Sequence, residues 1–337
     1  MKKTIIDVAK ELNLAPSTIS KIVNNKGRIS EATRERVLKY VESSGYVAMS
    51  SARKLSSKKS FSIGVIYSDI SLVGFEHPFF SRILQSFKTH VESQGYEIVM
   101  IVSKLGRNEL TYLEWCQNKK VDGVLIVMGN INNPNIIEVV NSNYPVVSTD
   151  IEMKNLHTVI CDDRKGVHLM VDYAKKHELK NVAIVTGPLT SRSFNIRVLE
   201  FRSYMNQQNM SYDESDIFIT KGFSSDDGAA IAVEILSRSK RPEIIFVLSD
   251  VIAFGLIRAL EASGVKVPED VEVIGYDDID FTKHFVPSLS TIKQDTQLMG
   301  KTAAKILLDY INQEKNNHEE VTLIPVELIE RETTRKK

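Results

Sequence analysis

Apolar residues near the start of the chain recur at intervals of three and four, which predicts three short helices. The positions expected to face inward are Ile5, Val8, Ala9, Leu12, Ile19, Ile22, Val23, Val37, Leu38 and Val41. Residues 13–15 interrupt the first helix, and Pro16 suits the first turn of the second, where no N–H is needed. The third is expected over residues 31–44, with Ser30 as its N-cap.

The second predicted helix carries short polar or cationic residues on its other face. These are Ser17, Thr18, Ser20, Lys21 and Asn24. Two helices joined by a three-residue turn, the second short and polar, are typical of the helix-turn-helix, whose second helix enters the major groove of DNA. A small helical bundle with a solvated polar face would show the same pattern, so the pattern alone leaves both interpretations open.

From Ser60 onward the period of the pattern changes to short apolar runs rich in β-branched residues, separated by amphipathic stretches of about 12–18 residues. The runs are 63–67, 97–102, 124–128, 146–148, 182–185, 244–248 and 271–274. Such alternation predicts an α/β fold with parallel sheets covered by helices. About 270 residues exceed one core, so we expect two doubly wound parallel-sheet subdomains behind the helix-turn-helix headpiece.

Charge divides the chain in the same place. Residues 2–59 contain 13 Lys and Arg against 5 Asp and Glu, a net charge of +8. The whole chain is neutral, so the remainder carries −8. A basic head on an acidic body indicates that the head, and not the body, meets a polyanion.

Other signals argue for a cytoplasmic protein. Lys2 and Lys3 lead into a charged helix and not into the apolar stretch of a signal peptide, and no apolar run approaches membrane-spanning length. We therefore expect a cytoplasmic location without membrane contact. Cys116 and Cys161 lie in or beside apolar runs and are expected to be buried free thiols.

The sequence offers little for catalysis. It contains no G-x-G-x-x-G, P-loop, H-E-x-x-H or nucleophile elbow. Its seven histidines are scattered without metal-ligand spacing. We expect neither an enzyme nor a bound metal or cofactor.

Two segments identify a family resemblance. TIIDVAKELNLAPSTISKIVNN and ISEATRERVLKYVESSGY resemble the headpiece of the LacI–GalR family of bacterial transcription regulators. The resemblance implies phosphate contacts by Thr4, Ser20, Asn24, Ser30, Thr33 and Tyr46, base-edge contacts by Pro16, Ser17 and Lys21, and Thr18 and Arg28 in the same interface. Lys21 replaces the usual Arg, which alone can hold guanine with a planar fork, and Ala15 stands where a capping Ser is usual.

Residues 50–56 resemble the hinge helix of that family, which folds on DNA. Arg53 and Leu55 match its DNA contacts, and Leu55 would wedge into a minor-groove step. Ala48 and Met49 stand where the family has Pro and Asn. Without the headpiece beside it, a plain flexible linker would explain the segment equally well.

The body resembles a periplasmic-binding-protein type I fold. The matching segments include IGVIYSDI, KVDGVLIV, NVAIVTGPL, VLSDVIAFGLIRAL, VPEDVEVIGYDDID and PSLSTIKQD. We expect a headpiece over 1–59 and a body over 60–337. Within the body, one subdomain would comprise 60–161 with 291–320, and the other 162–290 with 321–333. The chain lacks the leucine heptads of tetrameric members, so a homodimer is expected.

Polar residues follow several predicted strands, where ligands bind in doubly wound sheets. By resemblance the effector contacts are Asp150, Asp162, Arg197, Ser249, Asp277 and Gln294, with Phe223 as an aromatic platform. Phe79 and Phe80 would line the opposite wall or pack in the core. Carboxylates and one Arg suit sugar hydroxyls, which both donate and accept. Arg192 and Lys221 are interpreted as surface charge, and Asp250 as a helix cap.

The sequence thus predicts a DNA-binding transcriptional regulator, most simply a repressor. A homodimer would bind a pseudo-palindromic double-stranded operator under control of a small-molecule effector, most simply a sugar. Two alternatives stay open. One is a regulator that senses a purine or a partner protein, and the other is a sugar receptor without a DNA role.

Overall fold

The structure, a computed structural model, describes residues 3–23, 27–44, 59–67, 74–313 and 320–335. The chain separates into two compact units, residues 1–61 and 62–337. Several predicted DNA contacts, namely Asn24, Tyr46 and the hinge with Arg53 and Leu55, lie outside the described residues.

The described residues of the head form three helices, α1 (Ile5–Leu12), α2 (Pro16–Val23) and α3 (Glu31–Ser44). Their buried core is Val8, Ala9, Ile19, Ile22 and Val37. Asn13 ends α1 in a left-handed conformation, with φ of 52°, which turns the chain towards α2. The prediction for Leu38 is wrong, because its side chain is 44% exposed. Successive side chains of a helix point about 100° apart around its axis, so Leu38 points away from the core that Val37 enters.

The first sheet of the body contains six strands in the order β13-β7-β6-β5-β1-β2, and all its pairings are parallel. The strands are β1 (Ser62–Tyr67), β2 (Glu97–Ile101), β5 (Gly123–Met128), β6 (Val146–Ser148), β7 (His157–Cys161) and β13 (Val321–Ile324). A small antiparallel pair, β3 (Lys104–Leu105) and β4 (Asn108–Glu109), follows β2. The helices of this half are α4 (Pro78–Ser93), α5 (Tyr112–Lys119), α6 (Pro134–Val140) and α11 (Thr296–Asn312).

The second sheet has the order β14-β12-β11-β10-β8-β9, and only β14 is antiparallel to its neighbour. Its strands are β8 (Val182–Thr186), β9 (Ile217–Ile219), β10 (Ile244–Val247), β11 (Glu272–Asp277), β12 (Ser290–Gln294) and β14 (Val326–Ile329). The helices that accompany it are α7 (Asp163–Lys176), α8 (Arg192–Gln207), α9 (Ser225–Leu236) and α10 (Asp250–Ala262). Short 3₁₀ helices lie at Gly74–Glu76, Glu214–Asp216 and Asp280–Lys283.

Two of the predicted subdomain boundaries need correction. Residues 291–294 were assigned to the first half, but they belong to β12, which pairs with β11 in the second sheet. Residues 321–324 were assigned to the second half, but β13 pairs with β7 in the first. The chain therefore passes between the sheets after β7, after β12 and between β13 and β14. Strand membership depends on pairing between distant segments, which local pattern does not reveal.

Helix packing in the second half requires glycine at one close approach. A Cβ built on Gly255 of α10 would lie 1.7 Å from the carbonyl oxygen of Ser225 at the start of α9, and one on Gly228 would lie 2.0 Å from the carbonyl oxygen of Ile252. These two helices consequently pack backbone to backbone. Cys116 and Cys161 are buried free thiols, as predicted.

Candidate functional site

The head presents most of the predicted DNA contacts to solvent. Thr4, Pro16, Ser17, Lys21, Arg28 and Ser30 are exposed, whereas Thr18, Ser20 and Thr33 are half-buried. Thr4 also closes a capping box with Asp7 at the start of α1, which accounts for a structural part of its role. Burial of the apolar faces in the head core leaves the exposed members of this polar and cationic set on the surface.

The first turn of α2, the recognition helix by pattern, lacks a side-chain cap. The Ala15 carbonyl accepts hydrogen bonds from the amides of Thr18 and Ile19. Alanine offers no side-chain oxygen to the exposed amides of that turn. The first turn of the helix therefore receives no capping hydrogen bond from the side chain of residue 15.

The body contains a cavity of about 480 Å³ at the carboxyl ends of strands from both sheets. Seven of the eight predicted effector residues line it: Phe79, Asp150, Arg197, Phe223, Ser249, Asp277 and Gln294. Asp150 comes from the loop after β6 of the first sheet, and Asp277 from the end of β11 of the second. This volume suits a small ligand, and the position follows the rule for open α/β sheets.

Asp162 is the exception among the predicted effector residues. Its carboxylate caps α7 by accepting from the amide of Lys165 at 2.9 Å, and it does not line the cavity. The next residue, Asp163, is buried and faces Arg197 and Arg192. Asp at the position before a helix is a strong N-cap signal. That rule could have identified Asp162 as a cap and left Asp163 as the residue predicted to lie near the cavity.

Arg197 is held rigidly from three sides. Its Nε donates to Asp163 Oδ1 at 2.8 Å and its Nη1 to the Leu248 carbonyl at 3.0 Å. The guanidinium carbon lies 3.6 Å from the ring centroid of Tyr276, a stacking contact that favours the cation. Within the described part of the chain Nη2 has no protein partner, which leaves one donor group for a ligand.

Arg192, interpreted from sequence as surface charge, is a cavity residue. Its Nε donates to Glu152 Oε1 at 2.5 Å, its Nη2 contacts the same carboxylate, and its Nη1 donates to Asp163 Oδ2 at 3.1 Å. Glu152 belongs to the first half of the body and Arg192 to the second, so this ion pair crosses the cleft. The exposed side chain of Lys221 fits its prediction.

Two carboxyl groups at the cavity have raised pKa values. Burial raises the pKa of Asp150 to about 6, although the Gly129 amide, which donates at 3.1 Å, favours the charged form. Burial raises the pKa of Asp277 to about 7, against the opposing effects of Arg197 and of the Gln294 amide at 2.7 Å. Removal of these groups from water disfavours their charged forms.

The backbone at the end of β11 is unusual. Asp277 and Asp278 both have positive φ, 121° and 54°, in a region that costs a non-glycine residue energy. Asp278 in turn pairs with Arg331 at 2.6 Å. The cavity carboxylate of Asp277 thus lies on a constrained dipeptide.

Aromatic rings and one free hydroxyl complete the cavity. The rings of Phe194 and Phe223 stack at 5.7 Å in the second half, and Phe79 and Phe80 meet edge to face at 5.1 Å in the first. Ser249 Oγ is buried without a hydrogen-bond partner among the residues that the structure describes. A buried, unsatisfied hydroxyl is costly, and a ligand that formed a hydrogen bond with Ser249 Oγ would remove that cost.

The prediction that Asp250 caps α10 is wrong, because Asp250 is the first residue of that helix. It does not line the cavity either. It accepts from Thr291 Oγ1 at 2.6 Å and from the Ile279 amide at 3.0 Å. Its pKa is raised well above the usual value by burial and by Asp277. The residue therefore ties α10 to the neighbouring strand and loop.

Two further properties concern only the described ranges. No cluster of His, Cys, Asp and Glu suited to a metal ion occurs in them. None of their helices combines the length and apolar composition that crossing a membrane requires.

Comparison with known proteins agrees with this arrangement. Residues 4–48 match the lacI family of bacterial regulatory proteins, and residues 171–334 match a periplasmic binding protein-like domain. The HTH-type transcriptional repressor PurR of Vibrio parahaemolyticus is 28% identical over 338 residues, 99% of each chain. The lac repressor dimer bound to operator and the anti-inducer ONPF superposes with a TM-score of 0.83, at 26% identity over 99% of each chain.

A third comparison concerns the body. A LacI family transcriptional regulator from Enterococcus faecium with bound ribose matches with a TM-score of 0.68 and 28% identity, over 81% of this chain and 98% of that one.

A helix-turn-helix head joined to a two-sheet body with a cavity at the strand ends defines a DNA-binding transcriptional regulator of the repressor class. The chain belongs to the lacI family of bacterial transcription regulators.

Proposed function

We propose that the cavity of the body binds a sugar or sugar derivative whose binding controls the affinity of the head for its operator. The observation that carries this proposal is that Asp150 and Asp277, which follow strands of different sheets, line the same cavity of about 480 Å³. A ligand that bonds both carboxyl groups would hold the two halves of the body in one relation.

The polar groups at the cavity suit a ligand rich in hydroxyls. Asp150 and Asp277 accept hydrogen bonds when charged, Ser249 both donates and accepts, and Arg197 Nη2 donates. A sugar hydroxyl can donate to one such group and accept from another at the same time. The ring of Phe223 supplies an apolar surface for the face of a sugar ring.

The head supplies the output. In this proposal residues 1–59 bind a pseudo-palindromic double-stranded operator as part of a cytoplasmic homodimer, with α2 in the major groove. Support comes from the net charge of +8 in this segment and from the exposure of Ser17, Lys21 and Arg28. A coupling of about 1–3 kcal/mol between cavity and operator would suffice for regulation.

A thermal-shift screen of the full chain against neutral sugars and purines tests the proposal. A ligand at 100 times its Kd should add about 2.7 kcal/mol to the free energy of unfolding. Ser249→Ala should weaken a sugar hit about tenfold, because it removes a desolvated hydrogen-bonding partner. The matched control is Ser203→Ala, which removes an exposed hydroxyl from α8 and should leave affinity unchanged.

Purines form the second arm of the screen. Aromatic rings on both sides of the cavity would also sandwich a planar base, and the relative from Vibrio parahaemolyticus is named a PurR repressor. If only purines stabilise the protein, and if Phe223→Ala abolishes that stabilisation, the sugar assignment is wrong. No change for either ligand class would contradict both.

A further inference from the structure

We infer that Glu152 determines the charge specificity of the effector: by neutralising Arg192 from across the cleft, it makes the cavity select uncharged effectors over phosphorylated or carboxylated ones. This inference rests on the proposed function of the cavity and defines its ligand class more closely. It depends on how the two arginines at the cavity, Arg192 and Arg197, are already paired with carboxylates.

Four charged side chains form a continuous chain along the cavity. Glu152 contacts Nε and Nη2 of Arg192, Asp163 contacts Nη1 of Arg192, and Asp163 also accepts from Nε of Arg197. Two cations are thus matched by two carboxylates. Carboxylates occupy both edges of the Arg192 guanidinium, the edges that would hold a phosphate in bidentate fashion.

The remaining charged groups at the cavity are acidic. Asp150 and Asp277 line it in addition to the balanced chain, and their raised pKa values show that the surroundings already disfavour negative charge. An anionic ligand would have to approach these groups and displace Glu152 from Arg192. A neutral ligand meets neither cost.

Among these four charged side chains, Glu152 is the one that can be substituted with least disturbance of the fold. Its side chain is 39% exposed, whereas those of Asp163 and Arg197 are 7% and 5% exposed. Asp163 is buried between two guanidinium groups and has a structural role. Glu152 reaches Arg192 from the opposite half of the body, and its substitution would free one edge of that guanidinium with little effect on the buried chain.

The experiment measures binding of ribose 5-phosphate, glucose 6-phosphate and their neutral parent sugars to the full chain by calorimetry. The parent protein should bind the phosphate esters at least tenfold more weakly than any neutral sugar that it binds. Glu152→Gln should gain about tenfold to 100-fold in affinity for a phosphate ester, because a freed guanidinium edge makes charged hydrogen bonds. Arg192→Gln in that background should abolish the gain.

Glu138→Gln is the matched control, since it removes one exposed carboxylate from α6 of the same half and should not change phosphate affinity. A gain below threefold in Glu152→Gln, or one that persists after Arg192→Gln, would overturn the inference. So would a parent protein that binds the esters as tightly as the sugars. If no neutral sugar binds the parent, the proposed sugar effector is wrong, but the phosphate gain in Glu152→Gln still decides the role of Glu152.

Discussion

Asp277 is the residue at which the chemistry of the cavity is most concentrated. Its carboxyl group is buried, accepts from Gln294, and lies on a backbone with positive φ. Folding raises its pKa from 3.8 to about 7 because burial outweighs the favourable fields of Arg197 and Gln294. An acid with a raised pKa binds a proton more tightly in the folded chain than in the unfolded one.

This shift has a definite sign in the stability of the body. Below pH 3.8 the group is protonated in both states, and between about pH 4 and 7 it is protonated mainly when folded. The free energy of unfolding therefore falls as pH rises from about 4 towards 7. This residue contributes a slope of up to about 1.4 kcal/mol per pH unit. Asp277→Asn should flatten that slope and raise the free energy of unfolding at pH 8, measured by urea denaturation from pH 5 to 8.

The control for this prediction is Glu138→Gln, an exposed carboxylate on α6. Its denaturation profile should follow that of the parent protein across the same pH range. An Asp277→Asn profile that also follows the parent would show that the Asp277 carboxyl does not titrate as described.

At the scale of elements, the head depends on helix ends as much as on its core. α1 has a capping box between Thr4 and Asp7 and a left-handed Asn13 at its end. α2 has eight residues, is preceded by Ala15 and has no side-chain cap from that position. An isolated helix of this length is unstable in water, so the contacts of Ile19 and Ile22 in the head core hold it in place.

Ala15→Ser should therefore stabilise α2. A Ser oxygen at the N-cap can accept from the amide of Thr18, and such caps contribute about 0.5–2 kcal/mol. Hydrogen exchange of the full chain, followed by mass spectrometry, should show slower exchange of the amides of residues 17–23. Ala15→Gly serves as the control, because glycine supplies no side-chain oxygen. Equal protection in the Ser and Gly variants would contradict a capping effect.

At the scale of the whole molecule, the charge division predicts how the protein meets DNA. If the head neutralises six to ten phosphates, raising the salt concentration from 50 to 200 mM should reduce operator affinity about 10³- to 10⁵-fold. Arg28→Ala in the head should lower the slope of log affinity against log salt by about 1. Arg107→Ala, an exposed cation of the body, should leave the slope unchanged. An operator complex insensitive to salt would contradict the assignment.

The body also has a contact that links its two halves away from Glu152. Arg82 of α4 donates from Nη2 to Asp280 Oδ1 at 2.8 Å and from Nη1 to the Asp278 carbonyl at 3.3 Å. Asp278 directly follows Asp277 of the cavity. Movement of one sheet against the other would change this contact, so under the proposed function we expect it to contribute to the coupling between effector binding and operator binding.

Arg82→Gln should reduce the effector-induced change in operator affinity by about twofold to fivefold, since a partly exposed ion pair contributes about 1 kcal/mol or less. The measurement is operator binding with and without the effector found in the screen. Lys88→Gln is the control, because the ion pair of Lys88 with Glu92 lies within α4. An unchanged ratio in Arg82→Gln would remove this contact from the coupling.

The elements and their order were largely readable from the sequence. Helical and strand periods differ, so the three head helices and the central strands at 62–67, 123–128 and 244–247 were predicted within a residue or two. The weaker signals of β9 and β13 were missed as strands: β9 has three residues, and β13 is a short edge strand with one buried position. Short edge strands bury little apolar surface and so lack a clear pattern.

Local rules also found much of the cavity, because the ends of parallel strands converge wherever such a sheet forms. They failed at Asp162, which caps a helix, and at Arg192, which was interpreted as surface charge. The pairing of Arg192 with Glu152 joins residues 40 positions apart on different halves of the body. Such a pair has no periodicity, so only the tertiary structure reveals it.

The sequence by itself therefore determined the basic head, the α/β body and the acidic strand ends, since each follows from composition and spacing within one segment. The tertiary structure decided which strands share a sheet, which carboxylate faces Arg197, and which charges at the cavity are already neutralised. The physical reason is range. Helix and strand patterns arise from neighbours along the chain, whereas ion pairs and raised pKa values arise from groups that only folding brings together and removes from water.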